Sequence, residues 1–346
     1  MQQERTCMEN KKVTENEKDD YASFLDIIQK EFGEGSVTLL EQDSHKCEKE
    51  AISSGSFLLD NIIWKSKNGN GGYVKGKIIE ISGLQSSGKS TLAFHAVREC
   101  QKLGEKVVYF DLENGLDLDY VKVIGVDTKK LILPYPCSGE EAFEMLAKFV
   151  ELDIGLIVVD SVSNLVPRAQ LETNLEKTRI GSHAALMSAG LRKVKNKLIN
   201  KKTVIIFINQ LRNNISLNFS GNPEVTTGGM ALRYESDLRL RLKQKEKIER
   251  GGKVVGVKIE IKVIKNRFSK PFGKTDVEII LSRGIQKSKE ISKVAIEQDI
   301  IIKKNGNSYF FKEKKLGSSL DSIANFLDLP DNFETLKEIE RQILIA

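Results

Sequence analysis

Cysteine is scarce and scattered in this chain. Cys7, Cys47, Cys100 and Cys137 are the only four in 346 residues, and no two form a C-x-x-C pair. That spacing excludes a disulfide framework and a thiolate zinc site, and it predicts reduced thiols in a cytoplasmic protein. No apolar run approaches the roughly 20 residues that span a bilayer, so no membrane partner is expected. Met1–Asp20 is polar and lacks the apolar core of a secretory signal. Internal repeats and low-complexity tracts are also missing. What remains is a chain of globular composition, 40% hydrophobic and 29% charged. Its formal net charge of +6 permits a polyanionic partner without demanding one.

The most informative stretch is Gly83-Leu84-Gln85-Ser86-Ser87-Gly88-Lys89-Ser90-Thr91. It satisfies the phosphate-loop pattern G-x-x-x-x-G-K-S/T at every fixed position. The β-rich run Ile78–Ile81 precedes it and a helical pattern follows from Thr91. In that setting glycines let backbone N–H groups curl around a polyphosphate at a helix N-terminus. Lys89 offers a point charge to the β- and γ-phosphates, and Ser90 offers a hydroxyl to Mg²⁺. Gly83 to Thr91 are therefore the first cofactor-binding candidates, with ATP and Mg²⁺ as the cofactors.

The rest of the chain reads as an α/β protein with a mainly parallel twisted sheet. Ile78–Ser82, Lys106–Asp111, Leu156–Asp160 and Thr203–Ile208 are near-continuous apolar strands, as expected when both sheet faces are covered. Helices are predicted over about 89–103, 139–151 and 183–200. Asp237–Leu242 and Val254–Ile264 alternate, and they predict an antiparallel extension linked by the polar Lys243–Lys253 segment. Residues 1–20 are expected to be disordered. Residues 21–51 hold an amphipathic helix and a linker; Tyr21, Phe24, Leu25, Ile28 and Phe32 share its apolar face. A neighbouring subunit or its own domain could cover that face. The core is expected over 52–286. Residues 287–346 predict a small α+β domain: a helical start, a hairpin turning at Asn305–Asn307, then helices near 318–327 and 332–344.

Three strand ends carry chemistry. Leu156–Val159 ends in Asp160, a carboxylate suited to sit beside Ser90 and orient Mg²⁺ through water. The strand through Phe110 ends in Asp111-Leu112-Glu113, where either carboxylate could polarise an attacking water. Glu113 lies further into the loop that faces the nucleotide and is preferred. Ile205–Ile208 ends in Asn209-Gln210, and Gln210 could bond a γ-phosphate and sense its loss.

Taken together, Gly83–Thr91, Phe110–Glu113, Val158–Ser161 and Phe207–Gln210 resemble the bacterial RecA recombinase family. The resemblance continues through Gly221–Gly229 and Val263–Arg267, in register from about residue 21 to near the C-terminus. It implies a RecA-like P-loop NTPase core and an ATP-dependent DNA-repair protein that forms a helical homo-oligomeric filament on single-stranded DNA. Strand exchange with homologous duplex DNA, and activation of a self-cleaving repressor, are further implied activities. One face of an intersubunit ATP site would comprise Lys89, Ser90, Glu113, Asp160 and Gln210. Tyr120 matches a ring stacked on adenine and Asp117 a contact to the base. Lys265 and Arg267 match two basic residues supplied in trans; the second is usually Lys.

By the same resemblance the DNA loops span about 173–181 and 211–228. Arg192 and Arg212 match backbone-contacting arginines, and Arg179 and Ser188 are further DNA-binding candidates. Ile180 and Ile215 match side chains inserted between base triplets, and Thr227, Gly228 and Gly229 a contact to DNA. A helix-surface charge at Arg192 and a loop anchor at Ile215 are the bland readings. The chain also departs from the family. Ala185 replaces a DNA-contacting Arg, Asn214 a Lys, and Gln85 a Glu of the phosphate loop. Glu260 stands where an Arg serves a secondary DNA path, the segment Lys67–Tyr73 is longer, and an extra residue falls near Phe219–Gly221. The chain ends Arg341–Ala346 without an acidic run, which predicts easier duplex binding. These departures keep open a filament-forming regulatory ATPase without efficient exchange. A helicase or other repair ATPase lacks support: neither an added N-terminal domain nor a four-cysteine motif is present.

Overall fold

Alternation along the apolar strands decides the architecture. The computed structural model describes residues 15–39, 49–66, 71–172, 181–213, 224–226, 228–304 and 306–345. The chain divides into two units, Met1–Lys49 and Glu50–Ala346. In the first, helix α1 (Glu15–Phe32) starts within the stretch expected to be disordered and contains the amphipathic helix expected after residue 20. Gly33 N–H bonds to Gln29 O at 2.8 Å and the helix stops there. Tyr21, Phe24, Ile27 and Phe32 are exposed.

The second unit begins with β1 (Ala51–Ile52), α2 (Phe57–Ile63), β2 (Tyr73–Val74), β3 (Ile78–Gly83) and α3 (Lys89–Lys102). It continues through β4 (Val107–Asp111), α4 (Leu118–Ile124), β5 (Leu131–Ile132), α5 (Gly139–Glu151) and β6 (Leu156–Asp160). Then come α6 (Arg168–Leu171), α7 (Ser182–Lys197), β7 (Val204–Asn213), β8 (Glu224–Thr226) and α8 (Ala231–Glu235). The large sheet is completed by β9 (Leu238–Arg250), β10 (Lys253–Asn266), β11 (Lys274–Ile280) and β12 (Gly284–Ile285). Its order is β12-β11-β10-β9-β3-β7-β6-β4-β5, with β8 paired to β7. Strands β9, β3, β7, β6, β4 and β5 run parallel; β10, β11 and β12 add antiparallel neighbours at one edge.

Each central strand feeds both faces of this sheet. Ile79, Ile81, Val107, Tyr109, Val158 and Ile206 join a core under α3, whereas Ile78, Val108, Phe110, Ile157, Val159 and Phe207 join a core under α5 and α7. That period of two explains why the strand sequences are apolar throughout. Two expectations need correction. The polar Lys243–Lys253 segment is no linker: β9 and β10 continue through it and turn at Gly251-Gly252. Strand β7 also runs three residues into the expected second DNA loop, and β8 pairs with it there, Leu211 to Thr226.

The chain closes with α9 (Lys287–Glu297), β13 (Ile302–Lys304), β14 (Ser308–Phe311), β15 (Lys314–Gly317), α10 (Leu320–Leu327) and α11 (Phe333–Ile345). The expected hairpin thus supplies two strands of a three-stranded sheet. Ile291, Phe311, Ile323 and Ile339 form its core, which Phe57 of α2 joins. Beside that core lies a polar seam. Glu290 of α9 accepts hydrogen bonds from the Ser56 hydroxyl at 2.9 Å and from Leu58 N–H at 3.3 Å. Asp60 accepts from Ser54 N–H and Oγ at 2.8 and 2.6 Å. Burial pushes the Asp60 carboxyl up to about 6 and the Glu290 carboxyl up to about 7. His95 of α3 accepts from Ile285 N–H at 2.8 Å, and burial pushes its pKa down to about 3. Burial works against the charge of Lys287, but Asp60, Glu340 and Glu99 outweigh it and raise its pKa.

Candidate nucleotide site and nucleic-acid loops

Parallel register brings the chemistry to one edge of the sheet. Gly83 pairs with Gln210, and Asp111 with Asp160, so the ends of β3, β7, β6 and β4 share that edge. Crevices at the carboxyl ends of parallel strands are where such sheets bind ligands. Gly88 is the N-cap of α3, in the left-handed region at φ 86°, and it provides no side-chain cap. Helices α2, α4, α5 and α10, by contrast, are capped by Ser56, Asp117, Ser138 and Ser319. The first-turn amides of α3 are thereby left for an anion. At Gly83 a Cβ would crowd Ser87 Oγ and come within 2.7 Å of the Leu242 carbonyl oxygen. The Ser87 hydroxyl is buried with no hydrogen-bond partner among the described residues. Leu84, Gln85 and Ser86 form the exposed crest of the loop.

Lys89 bridges the loop by donating to Leu84 O at 2.8 Å, and it is buried. Burial lowers its pKa, while Asp160 and Glu113 oppose that shift. A cation held on a carbonyl and facing an uncapped helix start suits a polyphosphate. Ser90 Oγ donates to Asp160 Oδ2 at 2.7 Å. A hydroxyl and a carboxylate this close are hard oxygen donors, and they fit Mg²⁺. Burial raises the Asp160 pKa against the bonds from Ser90 and Tyr109.

Hydrogen bonding treats the two candidate carboxylates differently. Asp111 is occupied by the N–H groups of Gly115 and Leu116, at 3.2 and 3.1 Å, and so shapes its own loop. Glu113 is exposed, and its Oε1 accepts from Ser161 Oγ at 2.6 Å and from Gln210 Nε2 at 2.7 Å. Glu113 and Gln210 are therefore coupled directly. Tyr120 is half-buried, with its hydroxyl 3.1 Å from Thr91 Oγ1. Asp117 caps α4 through the N–H groups of Asp119 and Tyr120, which fixes Tyr120 beside the loop helix. Two residues missed by sequence reasoning join this site: Ser161 on Glu113, and Tyr109, whose hydroxyl donates to Asp160 Oδ2 at 2.7 Å. A buried tyrosine always poses the question of its hydroxyl's partner, and that was the available signal.

Lys265 and Arg267 lie elsewhere. Leu238 pairs with Ile79 on one side and with Asn266 on the other, whereas Leu242 pairs with Gly83. Four strand residues, about 13 Å, therefore separate these two basic residues from the phosphate-loop edge. Lys265 Nζ donates to the carbonyls of Arg233 and Tyr234 at 3.0 and 2.9 Å. Arg267 pairs with Asp237 at 3.2 Å. Burial, then the neighbouring Arg267, lowers the Lys265 pKa.

Of the DNA candidates, Arg179, Ile180, Ile215 and Thr227 lie outside the described residues, as does Asn214. Arg212 is placed by its backbone in β7. Arg192 is exposed on α7 and donates to Ser188 O at 3.1 Å. Gly181 begins α7, while Gly228 packs by Met187 and Val162 and Gly229 by Ala184. The far end of each expected loop thus meets the first turns of α7. Ala185 is exposed there. Glu260 is buried, with Lys274 at 2.6 Å, Lys262 at 3.2 Å and Lys245 at 3.7 Å. Its bond to Lys274, then Lys262, pulls its pKa down to about 2.

An uncapped glycine loop entering a helix, a Ser–Asp pair beside it and a parallel sheet with an antiparallel edge define a P-loop nucleotide-binding protein. Residues 20–286 match the family model described as the RecA N-terminal domain. The chain belongs to the RecA family, whose members act in recombination and DNA repair. It is 40% identical over 322 residues to Protein RecA of Mesoplasma florum, covering 93% of this chain and 94% of the relative. To Protein RecA of Lactobacillus johnsonii it is 38% identical over 331 residues, covering 94% and 90%. A solved structure, that of the RadB recombinase, aligns with a TM-score of 0.49 at 22% identity, covering 68% of this chain and 98% of that one. Among the described residues no helix is long and apolar enough to cross a membrane.

Proposed function

We propose that this chain is an ATP-dependent recombinase that polymerises on single-stranded DNA, pairs it with homologous duplex and exchanges strands. The observation that carries the reading is the separation of Lys265 and Arg267 from the phosphate loop across one sheet. Two basic residues at the wrong end to serve their own loop are well placed to serve a neighbour's. Stacked head to tail, each copy would present them to the next copy's γ-phosphate, as an arginine finger does.

Within the site each side chain has a role. The α3 amides and Lys89 bind the triphosphate, and Tyr120 packs against the base. Ser90, and Asp160 through water, would hold Mg²⁺, which would neutralise charge on the triphosphate. Glu113 orients water and takes its proton as the γ-phosphate leaves. Gln210 bonds Glu113 and stands at the root of the second DNA loop, so it links the nucleotide state to DNA. Arg192, Arg212 and the residues about Gly228 would hold a phosphate backbone, with little base reading.

A second reading rests on Glu260. Its close partners Lys262 and Lys274 lose their freedom to meet a second DNA, which favours a filament-forming ATPase with weak exchange. The test measures ATP hydrolysis and strand exchange together, with and without single-stranded DNA. DNA-stimulated hydrolysis with exchanged product supports the recombinase. Stimulated hydrolysis without product supports the second reading, and hydrolysis indifferent to DNA removes both.

A further inference from the structure

Asp160 Oδ2 accepts two hydroxyl donors, Ser90 Oγ and Tyr109 OH, each at 2.7 Å. Tyr109 is fully enclosed at 1% exposure, and its ring stacks on Phe94 with centroids 4.8 Å apart and planes 14° apart. Phe94 lies on α3 one turn beyond Ser90. The four residues therefore close a ring: along the helix from Ser90 to Phe94, across the stack to Tyr109, through its hydroxyl to Asp160, and back to Ser90. A carboxylate that accepts one hydroxyl can still swing about its terminal torsion, which is broad and roughly two-fold. Two donors converging on one oxygen from different elements, β4 and α3, remove that freedom. Both hydroxyls bond Oδ2 and neither bonds Oδ1, so Oδ1 is the oxygen turned to the cation site.

We propose that Tyr109 is a positioning residue that fixes the Asp160 carboxylate for Mg²⁺ through its hydroxyl. The proposal rests on the reading of Asp160 as a Mg²⁺-orienting residue. The phenol touches neither nucleotide nor reacting atoms; it acts only through Asp160. The ring and the hydroxyl have separate tasks, the ring filling space against Phe94 and the hydroxyl setting the carboxylate. Tyr109→Phe removes the second task and keeps the first.

The test is equilibrium binding of a fluorescent ADP analogue to the full chain, first in EDTA and then across a Mg²⁺ titration. Tyr109→Phe is expected to leave metal-free affinity within about twofold and to raise the Mg²⁺ half-saturation roughly three- to tenfold, the loss of one charge-assisted hydrogen bond. A Mn²⁺ titration, which probes the same oxygens, should shift in parallel. Asp160→Asn is measured beside it. If Asp160→Asn keeps the full Mg²⁺ enhancement, the reading of Asp160 falls. If Asp160→Asn loses it while Tyr109→Phe keeps the wild-type half-saturation, Asp160 stands and the proposal for Tyr109 is overturned. A melting temperature taken on each variant guards against misfolding: a Tyr109→Phe chain that melts early yet keeps the wild-type half-saturation overturns the proposal equally.

Discussion

Replacing Glu290 by glutamine should change how stability responds to pH. Glu290 sits in the seam between α9 and the start of α2, and its carboxyl titrates near 7 in the fold against 4.5 when free. The folded chain therefore keeps this proton to higher pH than the unfolded chain does. Stability from this group is present below 4.5 and is lost as pH rises to about 7. One pH unit of such a difference is worth about 1.4 kcal/mol, so most of about 3 kcal/mol is lost between pH 5 and pH 8. Glu290 retains some solvent access, and this sets the expectation at about 2–3 kcal/mol. Glutamine keeps an acceptor for Ser56 and Leu58 but has no proton to lose. Urea unfolding of both chains at pH 5, 6, 7 and 8 and fixed ionic strength gives the stability difference at each pH. His95 acts with the opposite sign, since its pKa of about 3 costs stability as pH falls below 6.5. Both chains carry it, so it cancels in the difference. The difference should move toward the glutamine chain by about 2–3 kcal/mol from pH 5 to pH 8. A flat difference across that range would refute the reasoning.

Lys89→Ala removes the cation from the loop, and a steady-state assay should show ATP hydrolysis reduced by at least about a hundredfold; normal turnover would take Lys89 out of the site. Arg267→Ala should leave nucleotide affinity of the dilute chain unchanged yet abolish DNA-stimulated hydrolysis. Dilute monomers that hydrolyse as fast as assembled protein would contradict the trans role. Glu260→Gln frees Lys262 and Lys274, and duplex binding should tighten with a log–log salt slope steeper by about 1–2. An unchanged slope would show that those lysines do not meet phosphate.

Much of this molecule can be read from its residues. Gly83 and Gly88 stand where the loop needs a close approach and a positive φ, so their spacing survives in the sequence. Val158 and Val159 face opposite cores, which makes β6 a recognisable apolar run. The continuation of β9 through Lys243–Arg250 was hidden because its outer half is charged and solvated, with little apolar alternation left to mark it. β15 was missed for a similar reason, since Lys314-Lys315 looks like loop. At the site, sequence preferred Glu113 over Asp111 only by its place further along the loop. The distinction lies in which carboxylate its own loop amides consume, and that is a matter of three-dimensional closure. The hydroxyl of Tyr109 was invisible in the same way: burial follows from strand alternation, but its partner 51 residues away does not.

A sheet whose two ends carry unlike groups has a consequence for growth. On the proposed assembly no rotation returns the last copy to the first, so the polymer is open and its tips are chemically unequal. One tip exposes an occupied cradle with no visiting Lys265 and Arg267, and the other exposes those residues with nothing to clasp. Hydrolysis at the first tip would lag behind the interior, and the two tips would shed and recruit copies at different speeds.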